Sequence, residues 1–415
     1  MQTDSTSYWQ STVSPTPLST DLPRMADVAV IGGGLMGTAT CYWLARQGMP
    51  VALLERSALA AGATGRNGGL VVARTAGPYS KAITELGHET ARAIMDVTLE
   101  NRTLLRQVLQ EEAIACDYRE PGALRLALSE TEVEQLTQEV DALCRDGFAA
   151  QWLDREDIQP LIQTPMASEI LGGRFLPEEG LVHSARLVQG IMRAALQRGA
   201  RAYQAEVQAI APDGNAVRLQ TSRGTLLAGA VVVAANIWAS KLLPVLADFI
   251  VSIREQMLSY APLAPVFTTG ISAAVTVHEY WQQTPDGTIL IGGCGSVAPN
   301  EDVGVWESSP TKVVQDAIEQ VLPRLFPALA PLQVVQRWAG LLDYTTDNHP
   351  IVDRVPDMPN MFFLCGFSGH GMPYGMRFGQ LLAETVQKGE LPPALQPFRL
   401  DRPTLRKWSA VKHTT

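Results

Sequence analysis

The sequence contains few of the residues from which metal sites and disulfide frameworks are built. Among its 415 residues are only five cysteines and six histidines. The cysteines, at positions 41, 116, 144, 294 and 365, form no CxxC pair, and the histidines do not cluster with them. This spacing argues against a bound metal and against disulfides. We therefore predict reduced, mostly buried cysteines in a cytoplasmic protein without a metal ion.

Positive charge and long apolar runs are also scarce. Lysine and arginine total 33 against 42 acidic residues, a net charge of −9. This balance disfavours nucleic acid as a partner, because a binding face needs concentrated Lys and Arg. No apolar run approaches the roughly 18 residues of a membrane span. Residues 1–25 are rich in Ser, Thr and Pro, which predicts an extended arm, held by Tyr8 and Trp9, rather than a secretory signal.

A glycine turn between two apolar runs is the strongest motif that the sequence does contain. Residues 27–56 read as a strand, a Gly-x-Gly-x-x-Gly turn, a helix and a second strand that ends on Glu55. This order is typical of a βαβ unit that binds a dinucleotide. Gly32 permits the tight turn, Gly34 lets the backbone approach a pyrophosphate, and Gly37 lets helix and strand pack closely. Glu55 favours FAD or NAD over NADP, because it would repel a 2′-phosphate.

The remaining strand candidates are of two kinds. The run at 230–235 is apolar throughout, as expected of a parallel strand buried on both faces. Alternating patterns occupy 118–128 and 251–298, and residues 280–292 predict a hairpin that turns at Pro-Asp-Gly. A further hairpin is predicted at 172–182. With 46% hydrophobic residues, the chain can bury a core large enough for one large domain or two intertwined domains.

Four blocks of the sequence, taken together, resemble the FAD-dependent oxidoreductases of the D-amino acid oxidase type. This family includes glycine oxidase, sarcosine oxidase and γ-glutamylputrescine oxidase. The blocks are residues 27–55, 62–69, 230–238, and 337–350 with 365–372. Their order matches the family, so the resemblance spans residues 26–390. The GATGRNGG block at 62–69 is most similar to the γ-glutamylputrescine oxidase branch.

The resemblance implies an α/β fold with two interleaved domains. An FAD-binding, Rossmann-like domain would alternate along the chain with a substrate domain built on a large antiparallel sheet. We expect an N-terminal arm at 1–25, the FAD-binding domain at 26–80, 151–240 and 335–390, the substrate domain at 81–150 and 241–334, and a C-terminal tail at 391–415.

The resemblance also implies FAD as the cofactor and assigns residues to it. Glu55 matches the ribose-binding acid, and Val207 matches the position whose backbone meets the adenine. The helix after Gly371 would aim its positive N-terminal end at the flavin. The expected FAD-binding residues are Gly32, Gly34, Leu35, Met36, Gly37, Glu55, Arg56, Gly62, Thr64, Gly65, Arg66, Asn67, Gly68, Gly69, Val207, Ala235, Trp238, Gly340, Gly369, His370, Gly371 and Met372.

Two departures from the family bear on the chemistry. Sarcosine oxidase relatives attach flavin through a Cys in the block that corresponds to residues 338–345, and this sequence has none there, so we expect non-covalent FAD. Glycine oxidase relatives place a carboxylate-binding Arg where this chain has Leu342-Asp343. The loss of this arginine favours, as the substrate, an amine without a carboxylate on the reacting carbon. Arg74 or Arg254 could compensate from elsewhere in the chain.

Six residues are candidates for the substrate and catalytic site. His370 lies in the glycine-rich segment that the resemblance places at the flavin, and Asp343 could either bind a cationic amine or stabilise the turn that follows it. Large aromatic residues could line the pocket, although they are also common in a sheet's core. The full set is His370, Tyr260, Asp343, Tyr344, Trp281 and Tyr374.

The activity implied by the resemblance is oxidation of a C–N bond in a small-molecule amine, with oxygen or another acceptor reoxidising the flavin. Three alternatives stay open from the sequence. The first is a dehydrogenase for a secondary amine or amino acid that passes electrons to a quinone or partner protein. The second is a flavoprotein subunit with mainly an assembly role. The third is an NAD-dependent dehydrogenase.

Overall fold

The computed structural model describes residues 5–410. Its helices are α1 Tyr8–Ser11, α2 Leu35–Arg46, α3 Tyr79–Leu86, α4 His88–Glu111, α5 Glu130–Arg145, α6 Arg155–Ile158, α7 Ser184–Gln197, α8 Ala239–Leu242, α9 Lys312–Leu325 and α10 Gly375–Lys388. Its strands are β1 Met25–Ile31, β2 Val51–Glu55, β3 Leu70–Val71, β4 Ala123–Ala127, β5 Gln151–Asp154, β6 Gly172–Leu176, β7 Gly180–Leu181, β8 Arg201–Gln204, β9 Val207–Asp213, β10 Ala216–Thr221, β11 Gly224–Val233, β12 Val251–Tyr260, β13 Gly270–Ala273, β14 Glu279–Gln283, β15 Ile289–Gly292, β16 Val334–Tyr344, β17 Ile351–Arg354 and β18 Met361–Cys365.

The first sheet has a parallel centre. Its main path runs β17-β18-β11-β1-β2-β8, and β1 pairs in parallel with both β11 and β2. The C-terminal halves of β1 and β11 are buried on both faces, which explains their continuous apolar runs. β10 and β9 extend β11 as an antiparallel ribbon. The carboxyl ends of β1 and β11 therefore lie side by side, where α/β sheets bind their ligands.

Helix α2 is almost wholly buried and packs between other helices on one face of this sheet. Glycine makes the closest contact possible, because a Cβ on Gly379 of α10 would lie 2.7 Å from the backbone carbon of Ala39. On the same side, Trp43 donates its ring N–H to the carbonyl of Met376 at 2.9 Å. The βαβ unit predicted from the sequence is thus fixed against the C-terminal helix.

The second sheet is mostly antiparallel and runs β16-β12-β15-β14-β13-β4-β6-β5. The hairpin predicted at 280–292 is formed by β14 and β15. One face of the sheet packs against α9, with Ile291 and Leu258 meeting Ile318 and Leu322 in a buried cluster. The opposite face is turned towards the first sheet, so it is free to line a site between the two.

The predicted boundaries differ from the observed sheets at three places. The range 151–240 was expected to belong to the FAD-binding domain, yet its strands β5 and β6 lie in the second sheet. The range 335–390 was also expected in the FAD-binding domain, yet its strand β16 pairs along its length with β12 of the second sheet. The hairpin predicted at 172–182 is also wrong: β6 pairs with β4 and β5, while β7 pairs with β3. Short alternating strands carry no signal for the sheet they join, because their partners are distant in sequence.

Membrane-spanning helices and metal sites are both absent from the part of the chain that the structure describes. Between residues 5 and 410, no helix has the length and apolar character needed to span a bilayer. Within the same range, no group of three His, Cys, Asp or Glu side chains is arranged to hold a metal ion. The five cysteines are all unpaired, and Cys144 alone among them is exposed.

The N-terminal arm is held to the body as predicted. Trp9 is 1% exposed, and its ring N–H donates to the carbonyl of Asn67 at 2.5 Å. Its ring also meets that of His183 edge-on, with centroids 4.7 Å apart. Tyr8 donates its hydroxyl to Asp286 at 2.8 Å. The arm therefore packs against the glycine-rich loop at 62–69 and supports it.

We predict that Trp9→Ala lowers the free energy of unfolding by about 3–5 kcal/mol, the usual range for removing a buried large aromatic side chain. It should also weaken FAD retention, because Asn67 loses its support. Tyr8→Phe is the matched control: it removes one exposed hydrogen bond and should cost about 1 kcal/mol or less. Urea unfolding and the ratio of flavin to protein absorbance measure both effects, and equal losses in the two variants would contradict the assignment.

Candidate active site

A cavity of about 790 Å³ runs between the two sheets. At one end it is lined by the glycine turn after β1 and by the carboxyl ends of β2 and β11. At the other end it is lined by residues of β4, β12, β14 and β16 in the second sheet. A site of this length and position suits an extended ligand that enters from the parallel sheet and ends against the antiparallel one.

The glycine turn has no room for side chains at two of its positions. A Cβ on Gly37 would lie 1.9 Å from the carbonyl oxygen of Gly32. Gly32 itself has φ of +112°, and its Cβ would lie 2.3 Å from the carbonyl oxygen of Ala234. At Gly34 the only close atom is the hydroxyl of Thr64, at 3.1 Å. Gly32 and Gly37 are therefore required for packing, while Gly34 leaves the cavity open beside the turn.

Helix α2 begins at the cavity with Gly34 as its N-cap residue, which has no side chain to cap the helix. Thr64, from the glycine-rich loop, accepts a hydrogen bond from the N–H of Leu35 at 3.2 Å. Leu35 and Met36 both line the cavity. The helix thus presents N–H groups and its positive dipole end to the cavity, which is the usual arrangement for a phosphate.

The acid at the end of β2 stands where a ribose acceptor is expected. Glu55 accepts the N–H of Gly33 at 2.7 Å with one oxygen and that of Ser57 at 2.8 Å with the other. Beside it, the guanidinium of Arg56 lies over the ring of Trp238, 3.9 Å from the centroid. These groups form a polar rim at the nucleotide end of the cavity.

Some residues of the glycine-rich loop at 62–69 line the cavity, and others pack against the protein backbone. A Cβ on Gly65 would lie 1.9 Å from the carbonyl oxygen of Ala60, and Gly65 does not line the cavity. Arg66 does line it, yet its guanidinium donates to the carbonyls of Ala61 and Ala339 at 3.1 and 2.7 Å. Arg66 therefore ties this loop to β16, and we correct the expected FAD contact of Gly65 to a backbone packing role.

The segment before α10 reaches the cavity, but the helix N-terminus does not. Gly371 and Met372 line the cavity together with His370, whose Nδ1 has no hydrogen-bond partner within residues 5–410. The N–H groups of Met376 and its neighbour in the first turn of α10 both donate to the buried side-chain oxygen of Asn101, at 2.8 and 3.2 Å. These two amides are thus bonded to Asn101 and are not open to a ligand, while the expected action of the helix dipole on the flavin stays a prediction.

The cavity fits FAD on these observations. The glycine turn, the start of α2 at the cavity and Glu55 suit a dinucleotide, and the cavity continues past them to a second compartment. All but Gly37 and Gly65 of the expected FAD-binding residues line the cavity: Gly32, Gly34, Leu35, Met36, Glu55, Arg56, Gly62, Thr64, Arg66, Asn67, Gly68, Gly69, Val207, Ala235, Trp238, Gly340, Gly369, His370, Gly371 and Met372.

Three of the aromatic candidates do not line the cavity. Tyr260 and Trp281 lie in the buried cluster on the α9 side of the second sheet, where Trp281 packs against Phe267 and Phe326 at 6.1 and 6.0 Å between centroids. Tyr374 stacks on Phe378 at 4.9 Å. The expectation of a pocket role for these three is corrected, because each is a core residue. Tyr344 does line the cavity.

Asp343 lines the cavity together with Leu342 and Tyr344, and it also holds a loop. Its carboxylate oxygens accept the N–H groups of Gly366 and Phe367 at 2.6 and 3.2 Å. Burial raises the pKa of Asp343 to about 6, against the lowering effect of these two N–H groups. These hydrogen bonds support the loop-stabilising role of the two that the sequence left open, and the substrate contact of Asp343 stays a prediction.

The sequence did not single out Glu255, which lines the second compartment next to Tyr344. The hydroxyl of Tyr344 donates to Glu255 Oε1 at 3.1 Å. The pKa of Glu255 is raised to about 7, chiefly by burial and in smaller part by the charges of Asp302 and Glu301, against the lowering effect of the Tyr344 hydrogen bond. Alternation in the run Ile253-x-Glu255-x-Met257 is the signal that could have found it, since all three line the cavity.

Together, the fold and the cavity define a dinucleotide-binding α/β protein with a separate compartment for a small molecule. A family model described as FAD dependent oxidoreductase (DAO) matches residues 27–385. The chain belongs to this family, and its cofactor is FAD.

Individual relatives support this membership along nearly the whole chain. Identity is 27% to the gamma-glutamylputrescine oxidoreductase of Escherichia coli, covering 87% of this chain and 83% of the relative. It is 28% to sarcosine oxidase subunit beta of Arthrobacter sp, covering 91% and 90%. The crystal structure of glycine oxidase from Geobacillus kaustophilus shares the fold with a TM-score of 0.80, at 22% identity and with 92% of this chain and 99% of that one covered.

We predict that Gly34→Val purifies colourless or nearly so. The new side chain would stand between the turn and the pyrophosphate, whereas the protein itself offers only the Thr64 hydroxyl as a close neighbour. Gly77→Val is the matched control, because no atom lies within 4 Å of its Cβ position, and it should keep its flavin. Stoichiometric FAD in Gly34→Val would show that the phosphate lies elsewhere.

We also predict that FAD is held without a covalent bond. None of the five cysteines of the chain lines the cavity as described, and burial raises the pKa of the nearby Cys365 thiol well above its usual range. Acid precipitation of the purified protein should release the yellow colour into the supernatant. A pellet that stays yellow after washing would contradict this prediction.

Proposed function

We propose that this chain oxidises a C–N bond in a primary or secondary amine to an imine, which water hydrolyses to a carbonyl compound and ammonia or a smaller amine. Membership of the family supports the redox chemistry. The names of two relatives, gamma-glutamylputrescine oxidoreductase and sarcosine oxidase subunit beta, support an amine as the reductant. Bound FAD supplies the two-electron acceptor.

The single observation that carries the proposal is the position of Glu255 in the second compartment of the cavity, beside Tyr344. Amines are protonated at neutral pH, and a protonated nitrogen has no lone pair with which to stabilise a developing imine. A carboxylate whose pKa lies near 7 suits the task of accepting that proton, because it is ionised in part and basic enough to do so. Its charge also attracts the ammonium before the transfer.

Tyr344 has a positioning role in this proposal. Its phenol donates to Glu255 at 3.1 Å and so orients one carboxylate oxygen. The other oxygen is left for the substrate nitrogen. The Tyr344 hydroxyl also lies 3.3 Å from where a Cβ of Gly369 would be, which places the pair beside the 369–372 segment. Tyr280 closes the same compartment from β14.

Oxygen is the acceptor that we propose for the electrons, with hydrogen peroxide as the product. Anaerobic mixing with amines tests the reductive step by loss of the flavin colour, and mixing the reduced protein with air tests the second step. Rapid recolouring with one peroxide per amine supports an oxidase. Slow recolouring that a quinone accelerates would instead identify a dehydrogenase, and no bleaching by any amine would favour an assembly role.

We predict that Glu255→Gln lowers kcat/KM for flavin reduction by about 10²–10⁴-fold, the usual contribution of a positioned base. In the unchanged protein kcat/KM should rise with pH through about 7, because the ionised carboxylate is the active form. Tyr344→Phe should move this rise to higher pH, since the phenol hydrogen bond lowers the pKa of Glu255.

The control for this prediction is Glu134→Gln, an exposed residue of α5, which should keep the full pH profile. Stopped-flow flavin bleaching under anaerobic conditions measures all four proteins. A pH profile that survives in Glu255→Gln would remove Glu255 from the proposed role. Asp302 does not offer an easy substitute, because it is paired with Arg254 at 2.8 Å.

A further inference from the structure

Residues 293–306 form a strap that follows β15 and runs along one side of the cavity. The strap is bonded to the part of β12 that β15 does not cover. The N–H of Gly304 donates to the carbonyl of Ser252 at 2.7 Å, and Val303 forms an antiparallel bridge with Ile253. One side of the strap is therefore fixed to the second sheet.

A turn in the strap has an unfavourable backbone conformation that a buried ion pair holds in place. Asn300, Glu301 and Asp302 have φ of 49°, 50° and 56°, in the left-handed region that residues other than glycine rarely adopt. Arg254 of β12 donates to both carboxylate oxygens of Asp302 at 2.8 and 3.0 Å, and both side chains are buried. Such conformations persist only where the surroundings hold them, and they are common at ligand sites.

The strap reaches the first sheet through Trp306. The side chain of Trp306 is 42% exposed, and its ring meets that of Trp238 edge-on, with centroids 6.3 Å apart and planes at 76°. The ammonium of Lys241 lies 3.9 Å from the centroid of the Trp306 ring. Both arrangements are attractive. Trp238 and Lys241 belong to the segment after β11, so this contact connects the strap with the first sheet.

The residues that Trp306 contacts belong to the nucleotide end of the cavity. Trp238 and Lys241 both line the cavity, and the guanidinium of Arg56 lies over the Trp238 ring, 3.9 Å from its centroid. Trp306 itself does not line the cavity. Any effect of Trp306 on a bound cofactor therefore passes through Trp238, Lys241 and the strap.

Another part of the strap covers Glu255. A Cβ on Gly295 would lie 3.7 and 3.8 Å from the two carboxylate oxygens of Glu255. Gly295, Ser296 and Glu301 line the cavity together with Glu255. The strap thus stands between this carboxylate and solvent, and its position affects how far water reaches Glu255.

Few titratable groups face Glu255 from the elements around it. They are Tyr344 of β16, Tyr280 of β14, and Cys294, Glu301 and Asp302 of the strap. Burial raises the pKa of the Tyr280 phenol well above its usual range and that of the Cys294 thiol to about 12, so both are neutral near pH 7. Asp302 is paired with Arg254. A change in the pH profile of Glu255 therefore reports chiefly on its exposure to water.

We propose that Trp306 is a positioning residue that fastens the strap along the cavity, so that the strap retains FAD and keeps water away from Glu255. Without the Trp306 ring, the strap keeps its bonds to β12 but loses its contact with Trp238 and Lys241. Its side towards the first sheet is then free to move outwards. The retention of FAD follows from the cofactor site alone, whereas the effect on Glu255 rests on the proposed function.

The first test measures FAD release from the diluted holoprotein by the fluorescence of free flavin. Trp306→Ala should release FAD about tenfold faster, the scale of an aromatic contact together with a cation–π contact. Trp306→Phe keeps a ring in the same place and should stay within about threefold of the unchanged protein. An unchanged release rate in Trp306→Ala would overturn the proposal.

The matched control for FAD release is Trp152→Ala. The same chemical change removes a half-buried indole from the outer strand β5, and Trp152 does not line the cavity. This variant should keep the release rate of the unchanged protein. Equal acceleration in Trp152→Ala and Trp306→Ala would show a general loosening and would overturn the assignment.

The second test measures hydrogen exchange of the strap by mass spectrometry, with FAD in excess. In Trp306→Ala the amides of residues 300–305 should exchange about tenfold faster or more, because the strap opens more often. The central strand β11 should keep its protection, and Trp306→Phe should restore that of the strap. Unchanged exchange in residues 300–305 of Trp306→Ala would overturn the proposal.

The third test separates this inference from the proposed function by the pH profile of anaerobic flavin reduction. In FAD-saturated Trp306→Ala the rise of kcat/KM should move to lower pH by about one unit, because water stabilises the ionised form of Glu255. This shift is opposite in sign to that expected for Tyr344→Phe, and Trp306→Phe should reverse it. A merely structural loss of activity would not move the profile.

The outcomes of the third test differ for the two claims. If the unchanged protein shows no rise of kcat/KM near pH 7, the proposed role of Glu255 fails, while FAD release and hydrogen exchange still decide whether Trp306 fastens the strap. If the rise is present but does not move in Trp306→Ala, the shielding of Glu255 by the strap is overturned and the proposed function stands.

Discussion

The close approach of helix α2 to the turn after β1 is the constraint on which the cofactor region depends. A Cβ on Gly37 would come within 1.9 Å of the Gly32 carbonyl, so the helix can start at the turn only because both positions are glycine. This start leaves the first N–H groups of α2 at the edge of the cavity. The glycine-rich loop supports this turn through Thr64, and the N-terminal arm holds that loop through Trp9.

Charge is distributed unevenly along the cavity, and this distribution gives the site its direction. Glu55 stands at the nucleotide end, Glu255 lies in the second compartment beside Tyr344, and Arg74 and Arg125 also line the cavity.

Hydrogen bonding decides what the polar residues at the end of β16 do in the cavity. Leu342, Asp343 and Tyr344 all line it. The oxygens of Asp343 accept the N–H groups of Gly366 and Phe367, whereas the hydroxyl of Tyr344 donates to Glu255. Asp343 therefore fixes the loop that follows β18, and Tyr344 orients the carboxylate of Glu255.

The sequence by itself determined the βαβ unit, a dinucleotide of the FAD or NAD type and the hairpin at 280–292, because glycine spacing, an acid at a strand end and a Pro-Asp-Gly turn are local signals. The resemblance to the family narrowed the cofactor to FAD and named most of the residues that line the cofactor end of the cavity, since they cluster in continuous loops. Only the tertiary structure decided which sheet β5, β6 and β16 join, that Tyr260 and Trp281 are core residues, and that Glu255 and Arg125 face one compartment. The physical reason is that strand pairing and facing depend on partners far away in the chain.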